Sequence, residues 1–141
     1  MECGNCTYCC KFLEIKETSS KTGEYCKYCI PEVGCKIYNK RPESCKIFEC
    51  CWKQMKVSAE ELRPDRCNML FEKWSDKVIV GATDKKMSEL IMKQINYFNG
   101  EGISIVILDH LQKTKTFYLA SGHTKEFVKQ EINNSIKSRG N

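Results

Sequence analysis

Cysteine placement limits what this chain can fold into more than any other feature. Eleven cysteines occur in 141 residues, and ten of them stand at or before Cys51, with Cys67 alone beyond. Residues 1 to 40 show no helical or strand period, and Gly4, Gly23, Pro31 and Gly34 interrupt the apolar runs that exist. Such a stretch buries too little apolar surface to fold by itself, so cross-links must supply much of its stability. Disulfides do not persist in a reducing compartment, where dense, closely spaced cysteines are more often thiolates on metal. The odd count also leaves at least one cysteine outside any pairing.

The compartment is read from what the chain opens with. Met1-Glu2-Cys3 runs directly into cysteines, without a basic and then apolar export signal, and no stretch approaches the roughly 20 apolar residues a bilayer span requires. A cytoplasmic protein with no membrane segment is expected. Apolar residues make up 41% and charged residues 29%, which suits a folded globular chain rather than a disordered one. The formal charge of +5 counts every thiol as neutral. A divalent ion on four thiolates carries about −2, so two such sites would bring the chain near +1, and basicity alone argues little for nucleic acid.

The spacing of the cysteines is the strongest chemical signal. Cys3, Cys6, Cys9 and Cys10 form CxxCxxCC, and Cys26, Cys29, Cys35, Cys45 and Cys50 follow. Two residues between thiolates let the backbone turn so that both sulfurs reach one ion at about 2.3 Å in tetrahedral geometry. Cys3/Cys6 and Cys26/Cys29 both have that spacing, and 19 residues separate the pairs. That gap lies within the about 15 to 20 expected of a four-cysteine zinc site. The CxxCxxC register equally suits a [4Fe–4S] cluster whose fourth ligand comes from elsewhere, although the ferredoxin-type Cys-Pro ending is missing. Adjacent side chains diverge, so Cys9-Cys10 either serves two sites or supplies one ligand and one packing residue.

With these residues the chain resembles the YkgJ-like cysteine-cluster family, described as a zinc- or iron-chelating domain. Its signature is CxxCxxCC. The family's later segment, a cysteine followed by Cys-x-Ile-Tyr-x-x-Arg-Pro-x-x-Cys, is matched by Cys29 and then by Cys35-Lys36-Ile37-Tyr38-Asn39-Lys40-Arg41-Pro42-Glu43-Ser44-Cys45, with Phe48 and Cys50 continuing the likeness. The resemblance covers residues 3 to 52. It implies Cys3, Cys6, Cys9, Cys10, Cys29, Cys35, Cys45 and Cys50 as metal-binding residues, whereas Cys26, Cys51 and Cys67 are less typical of it. Cys26 therefore divides the spacing argument from the resemblance. Proteins with this signature include a larger flagellin lysine methylase; nothing here looks like a pocket for S-adenosylmethionine, and that activity is not expected of this chain.

A guanidinium at Arg41 beside clustered thiolates would offset their charge and donate to sulfur; a solvated turn residue is the plainer alternative. His110 and His123 have no ligand spacing to the cysteines, and Gly100-Glu101-Gly102 reads as helix termination plus a turn. No HExxH, GxSxG or phosphate-binding loop is present, so no enzymatic activity is assigned. Lys53, Lys56, Arg63 and Arg66 flank the cysteines while Tyr8, Tyr25, Tyr28 and Tyr38 interleave with them. That pattern admits a zinc-dependent nucleic-acid binder as a third function, behind a zinc-binding interaction module with an unidentified protein partner and an iron–sulfur redox or sensor protein.

Beyond the cysteines the pattern becomes regular. Pro42 can open a helix in which Phe48, Cys51, Trp52 and Met55 recur at helical spacing, with Cys51 on that stripe as a small buried hydrophobe. Ser58-Ala59-Glu60-Glu61 has the form of a capping box for a short helix ended by Arg63-Pro64. Alternation from Cys67 to Glu72 and the run Val78 to Ala82 predict a hairpin. Asp84 then caps a helix bearing Met87, Leu90, Ile91, Ile95 and Phe98, stopped by Asn99-Gly100. Ile103 to Leu108 and Thr116 to Ala120 predict a second hairpin turning around Gln112 to Lys115. Phe127, Val128, Ile132 and Ile136 mark a last amphipathic helix. The expectation is an α+β fold in ββαββα order. It comprises a cysteine-cluster module over 1–56 and a domain over 57–141, whose antiparallel sheet carries both helices on one face, the two forming one compact unit.

Overall fold

The computed structural model describes residues 5–48, 50–54 and 60–138, leaving aside the side chains of 53, 54 and 61. Expectations placed on Cys3, Met55, Lys56, Ser58 and Ala59, and on the side chain of Lys53, lie outside the described residues. The N-terminal region is assembled from short pieces: α1 (Tyr8–Phe12), a 3-10 turn (Lys16–Thr18), and a hairpin of β1 (Cys29–Ile30) and β2 (Gly34–Cys35). A second 3-10 turn (Tyr38–Lys40), α2 (Glu43–Ile47) and α3 (Cys51–Gln54) complete it. The single helix expected after Pro42 is therefore two. Phe48 turns extended, with ψ 128°, and packs against the Tyr8, Phe12 and Trp52 layer, which frees α3 to lie on its own line.

The remaining elements are a third 3-10 turn (Glu60–Leu62), α4 (Pro64–Cys67), β3 (Leu70–Lys73), β4 (Val78–Thr83), α5 (Glu89–Gly100), β5 (Ser104–Asp109), β6 (Thr114–Tyr118) and α6 (Lys125–Ser138). The chain is a mixed α+β protein. The short helix expected to end at Arg63-Pro64 is a 3-10 turn closing at Leu62; Pro64 itself then opens α4, its missing N–H costing nothing at that position, and Asn68 closes that turn in the left-handed region with φ 62°. Cys67 thus belongs to a helix rather than a strand. Leu70 stands on the other side of the expected alternation from Met69 and Phe71, yet all three are buried, Leu70 at 3% exposure.

Strand order is β3-β4-β5-β6. β3 and β4 pair antiparallel, as do β5 and β6, but β4 and β5 run parallel from Val78 opposite Ser104 to Thr83 opposite Asp109. The expected all-antiparallel sheet is corrected on this pair. Its cause is the connection: α5 carries the chain back along the sheet before β5 begins, and a parallel pair needs such a crossover.

The helices also lie on opposite faces, not on one. Ile91, Ile95 and Phe98 of α5 pack with Phe71, Ile79, Ile105 and Ile107. Val128 of α6, with Phe127 and Ile132 beside it, packs on Val78, Val80, Val106 and Leu108. Neighbouring strand residues point to opposite faces, so a strand covered on both sides must be apolar throughout, and Val78–Thr83 and Ser104–Asp109 are nearly continuous apolar runs. No helix among the described residues is long and apolar enough to cross a membrane.

The cysteine-rich region is fastened to the sheet on the α6 face. Tyr8, Phe12, Cys50 and Trp52 share one apolar layer with Leu70 and Ala82, which are cross-strand partners on β3 and β4. Cys51, one residue round, belongs to the α5-side core instead, so α3 straddles the β3 edge and covers it.

Candidate metal centre

Backbone hydrogen bonds bring the scattered cysteines to one place. The Cys26 amide donates to the carbonyl of Cys10 at 2.9 Å and Gly23 to that of Lys11 at 2.8 Å, laying the chain after the first 3-10 turn alongside α1. Cys29 then bonds back to the Cys26 carbonyl at 2.9 Å, closing the CxxC turn, and stands opposite Cys35 in the β1–β2 pair. The Glu32 amide donates to Thr7 Oγ1 at 3.1 Å, tying the hairpin tip to the start of α1. Cys45 comes in on α2, whose first turn is held by Glu17: the carboxylate accepts from the Ser44 amide and hydroxyl at 3.3 and 3.0 Å. The Ser44 hydroxyl holds the Glu17 carboxyl below its usual range.

The thiols form a connected group. Cys10 shares hydrogen bonds with both Cys9 and Cys29. Cys9 is held below the ordinary thiol range, first by the Cys10 bond and further by nearby amides and the positive charge of Arg41, whereas Cys10, which keeps the shared proton, is pushed well up. Burial raises Cys29 and also Cys45, the latter with added repulsion from Cys9, Cys26 and Cys35. Burial also works against ionisation of Cys26, yet its thiol is lowered, because the Tyr28 amide at 3.5 Å and the hydroxyls of Ser20 and Thr18 donate towards the sulfur. Cys9, Cys10, Cys26, Cys29, Cys35 and Cys45 are all half-buried.

The other cysteines have different surroundings. Cys6 sits between Cys9 and the backbone of Asp65, its thiol pushed up to about 11 by burial. Cys50 lies in the apolar layer at 8% exposure and is pushed up to about 12 by burial, with Cys6 and Cys9 among the groups acting on it. Cys51 and Cys67 are core thiols, raised by burial to about 12 and about 11, and Cys67 donates to the Leu62 carbonyl at 3.3 Å. Cys3 is outside the described residues. Among those residues no group of three or more His, Cys, Asp or Glu side chains already stands in a metal-holding arrangement.

Arg41 stacks over Tyr38 at 4.0 Å and gives its Nε–H to the Tyr38 carbonyl at 3.1 Å, so its role towards Cys9 is that of a nearby charge. The basic residues proposed to flank the cysteines are engaged with carboxylates where described: Arg63 with Asp65 at 2.6 Å and Arg66 with Glu60 at 3.3 Å. Tyr8 is buried, and Tyr25 and Tyr28 lie under Lys11 and Lys27. His123 Nδ1 shares a hydrogen bond with the buried Ser104 hydroxyl at 2.6 Å and stacks on Phe127; His110 stacks on Phe12.

Residues with no sequence signal complete the surroundings. The donors around Cys26 were unreadable because hydroxyls six and eight residues upstream carry no spacing rule. Asp84, expected as the cap of α5, instead forms an ion pair with Lys11 on α1, and Ser88 takes the cap position. No protein-family model, curated protein or solved structure matches the chain.

Proposed function

We propose that the cysteine cluster chelates zinc as a structural module and that the protein acts through interaction with a protein partner. The observation that carries this reading is the linked group of Cys9, Cys10 and Cys29, with Cys9, Cys26 and Cys35 near enough to Cys45 to disfavour its ionisation. Soft sulfur donors in this number suit zinc, which takes four thiolates without redox chemistry of its own. The holders would come from Cys9, Cys10, Cys26, Cys29, Cys35 and Cys45, joined by Cys3 and Cys6 from the N-terminal motif, with Cys50 at the apolar margin. Bound zinc would cross-link short elements that have little apolar support of their own.

The resemblance to YkgJ-like chelating domains supports the same set except at Cys26. The hydrogen bonds converging on that sulfur favour including it, because donors to a ligating thiolate stabilise its charge. Exposed Ile30, Val33, Tyr38 and Ile47 give the module an apolar outer surface, which supports a partner-binding role. Thiolate chemistry of this kind needs a reducing compartment, for which the cytoplasm is the natural setting.

A [4Fe–4S] cluster is the second reading, favoured by CxxCxxC and by amide and hydroxyl donors to sulfur, which tune cluster potential. Metal and sulfide analysis with a visible spectrum, on anaerobically purified protein tagged at its C-terminus, separates the two. Zinc at about two ions per chain without colour supports the structural module. Iron with acid-labile sulfide and a brown band replaces it with the cluster, and a chain free of metal removes both.

A further inference from the structure

We infer that α1 is a mechanical link through which metal at the thiol cluster controls the order of the C-terminal ends of the parallel strands β4 and β5. This rests on the chelating function proposed above and adds a regulated element to it. The five residues of α1 serve two neighbours at once. Cys9 and Cys10 belong to the thiol group, while Tyr8, Lys11 and Phe12 reach the sheet.

On the sheet side the contacts converge where β4 and β5 end. Lys11 pairs with Asp84, the residue after β4. Phe12 lies 5.4 Å from the ring of His110, the residue after β5, and the His110 amide donates to the Thr83 carbonyl at 2.7 Å, joining the two strand ends. Tyr8 gives its hydroxyl to Asn68 Oδ1 at 3.3 Å, just before β3.

This junction is covered but not satisfied. Asp84 Oδ1 and His110 Nε2 are buried without a hydrogen-bond partner among the described residues. Buried polar atoms in that state favour opening to water, and a five-residue helix has no stability of its own to resist it. α1 is held down on the sheet side by the apolar contacts of Tyr8 and Phe12, the Lys11–Asp84 pair and the Tyr8–Asn68 bond, and on the other side by the Cys26 and Gly23 amides and whatever fixes Cys9 and Cys10. Metal on those sulfurs therefore adds to the closed state, and its loss shifts α1 towards release. Removal would free Lys11 from Asp84, uncover His110 and loosen the joined strand ends, while β5 between β4 and β6 stays paired. By reciprocity, weakening the sheet-side contacts must weaken metal binding.

The test uses the full chain, first zinc-loaded and then chelated, with metal content and amide hydrogen exchange measured on the same samples. On zinc removal the amides of Cys10, Leu13, Lys85 and His110 are expected to exchange about tenfold faster or more, while those of Ile105 to Ile107 keep their protection. In parallel, Asp84→Asn is expected to weaken zinc about fivefold in a chelator competition, and Asp76→Asn, on the exposed β3–β4 turn, to leave it unchanged. Unchanged protection at Lys85 and His110 in chain shown to have lost its zinc, or an Asp84→Asn chain of native affinity, overturns the link and leaves chelation standing. A chain that takes up no zinc overturns both.

Discussion

Single cysteines in this protein differ in what their burial does. Cys67 is 1% exposed, gives its proton to the Leu62 carbonyl and has its thiol raised by burial from 9.0 to about 11. Its native form is neutral, so its contribution to stability is complete below pH 9 and is lost as pH rises from there towards 11, where the unfolded thiol ionises first. Urea unfolding from pH 7 to 11 should therefore show native stability falling relative to Cys67→Ala by on the order of 1–3 kcal/mol across that window. Parallel pH profiles for the two proteins would mean that the thiol is not held neutral. The sequence set Cys67 apart from the other ten cysteines, all at or before Cys51, but could not say why. Its place in a one-turn helix depends on Pro64 opening that turn and Asn68 closing it, and two strand-like neighbours concealed both.

At the scale of elements, the regular pieces were legible and their partners were not. β4 and β5 declared themselves as apolar runs, and α5 and α6 as stripes, because each pattern is local. Parallel pairing of β4 with β5 depends on where α5 returns the chain, which no window of residues contains. Two hints were readable: a helix separates the two strands, as a parallel crossover requires, and Val78 to Ala82 does not alternate, as a strand buried on both faces must not. Gly81 shows how tightly those faces are filled: a Cβ there would stand 2.8 Å from Ile107 Cδ1, 2.9 Å from Met69 Sδ and 3.1 Å from Phe71 Cε1. The strand needs a glycine for close packing and not for backbone freedom. Gly81→Ala should cost about 1–3 kcal/mol of stability in thermal or urea unfolding, and a neutral result would show that Ile107 and Met69 both move aside freely.

Across the whole molecule, the cysteine region and the sheet share a core layer. Tyr8, Phe12 and Trp52 cover Leu70 and Ala82, and Trp52 itself is 2% exposed. The candidate site was legible as a set of cysteines, since spacing is a property of sequence. Its attachment was not, since nothing local marked Leu70 as a buried partner for the cysteine region and Asp84 read as a helix cap. That attachment sets what chelation should do. If zinc supplies the stability of the cysteine region, its removal loosens the lid over Leu70 and Ala82 without dismantling the α5 side, where Ile91, Ile95 and Ile105 are wholly buried in a separate core. Chelation should then shift Trp52 emission to the red, measured as the difference between the native chain and Trp52→Phe, while far-UV dichroism falls only in part. Complete loss of dichroism would mean that the lid and the sheet unfold as a single cooperative unit. An unmoved Trp52 would mean that apolar packing alone holds the lid, leaving the metal no structural task there.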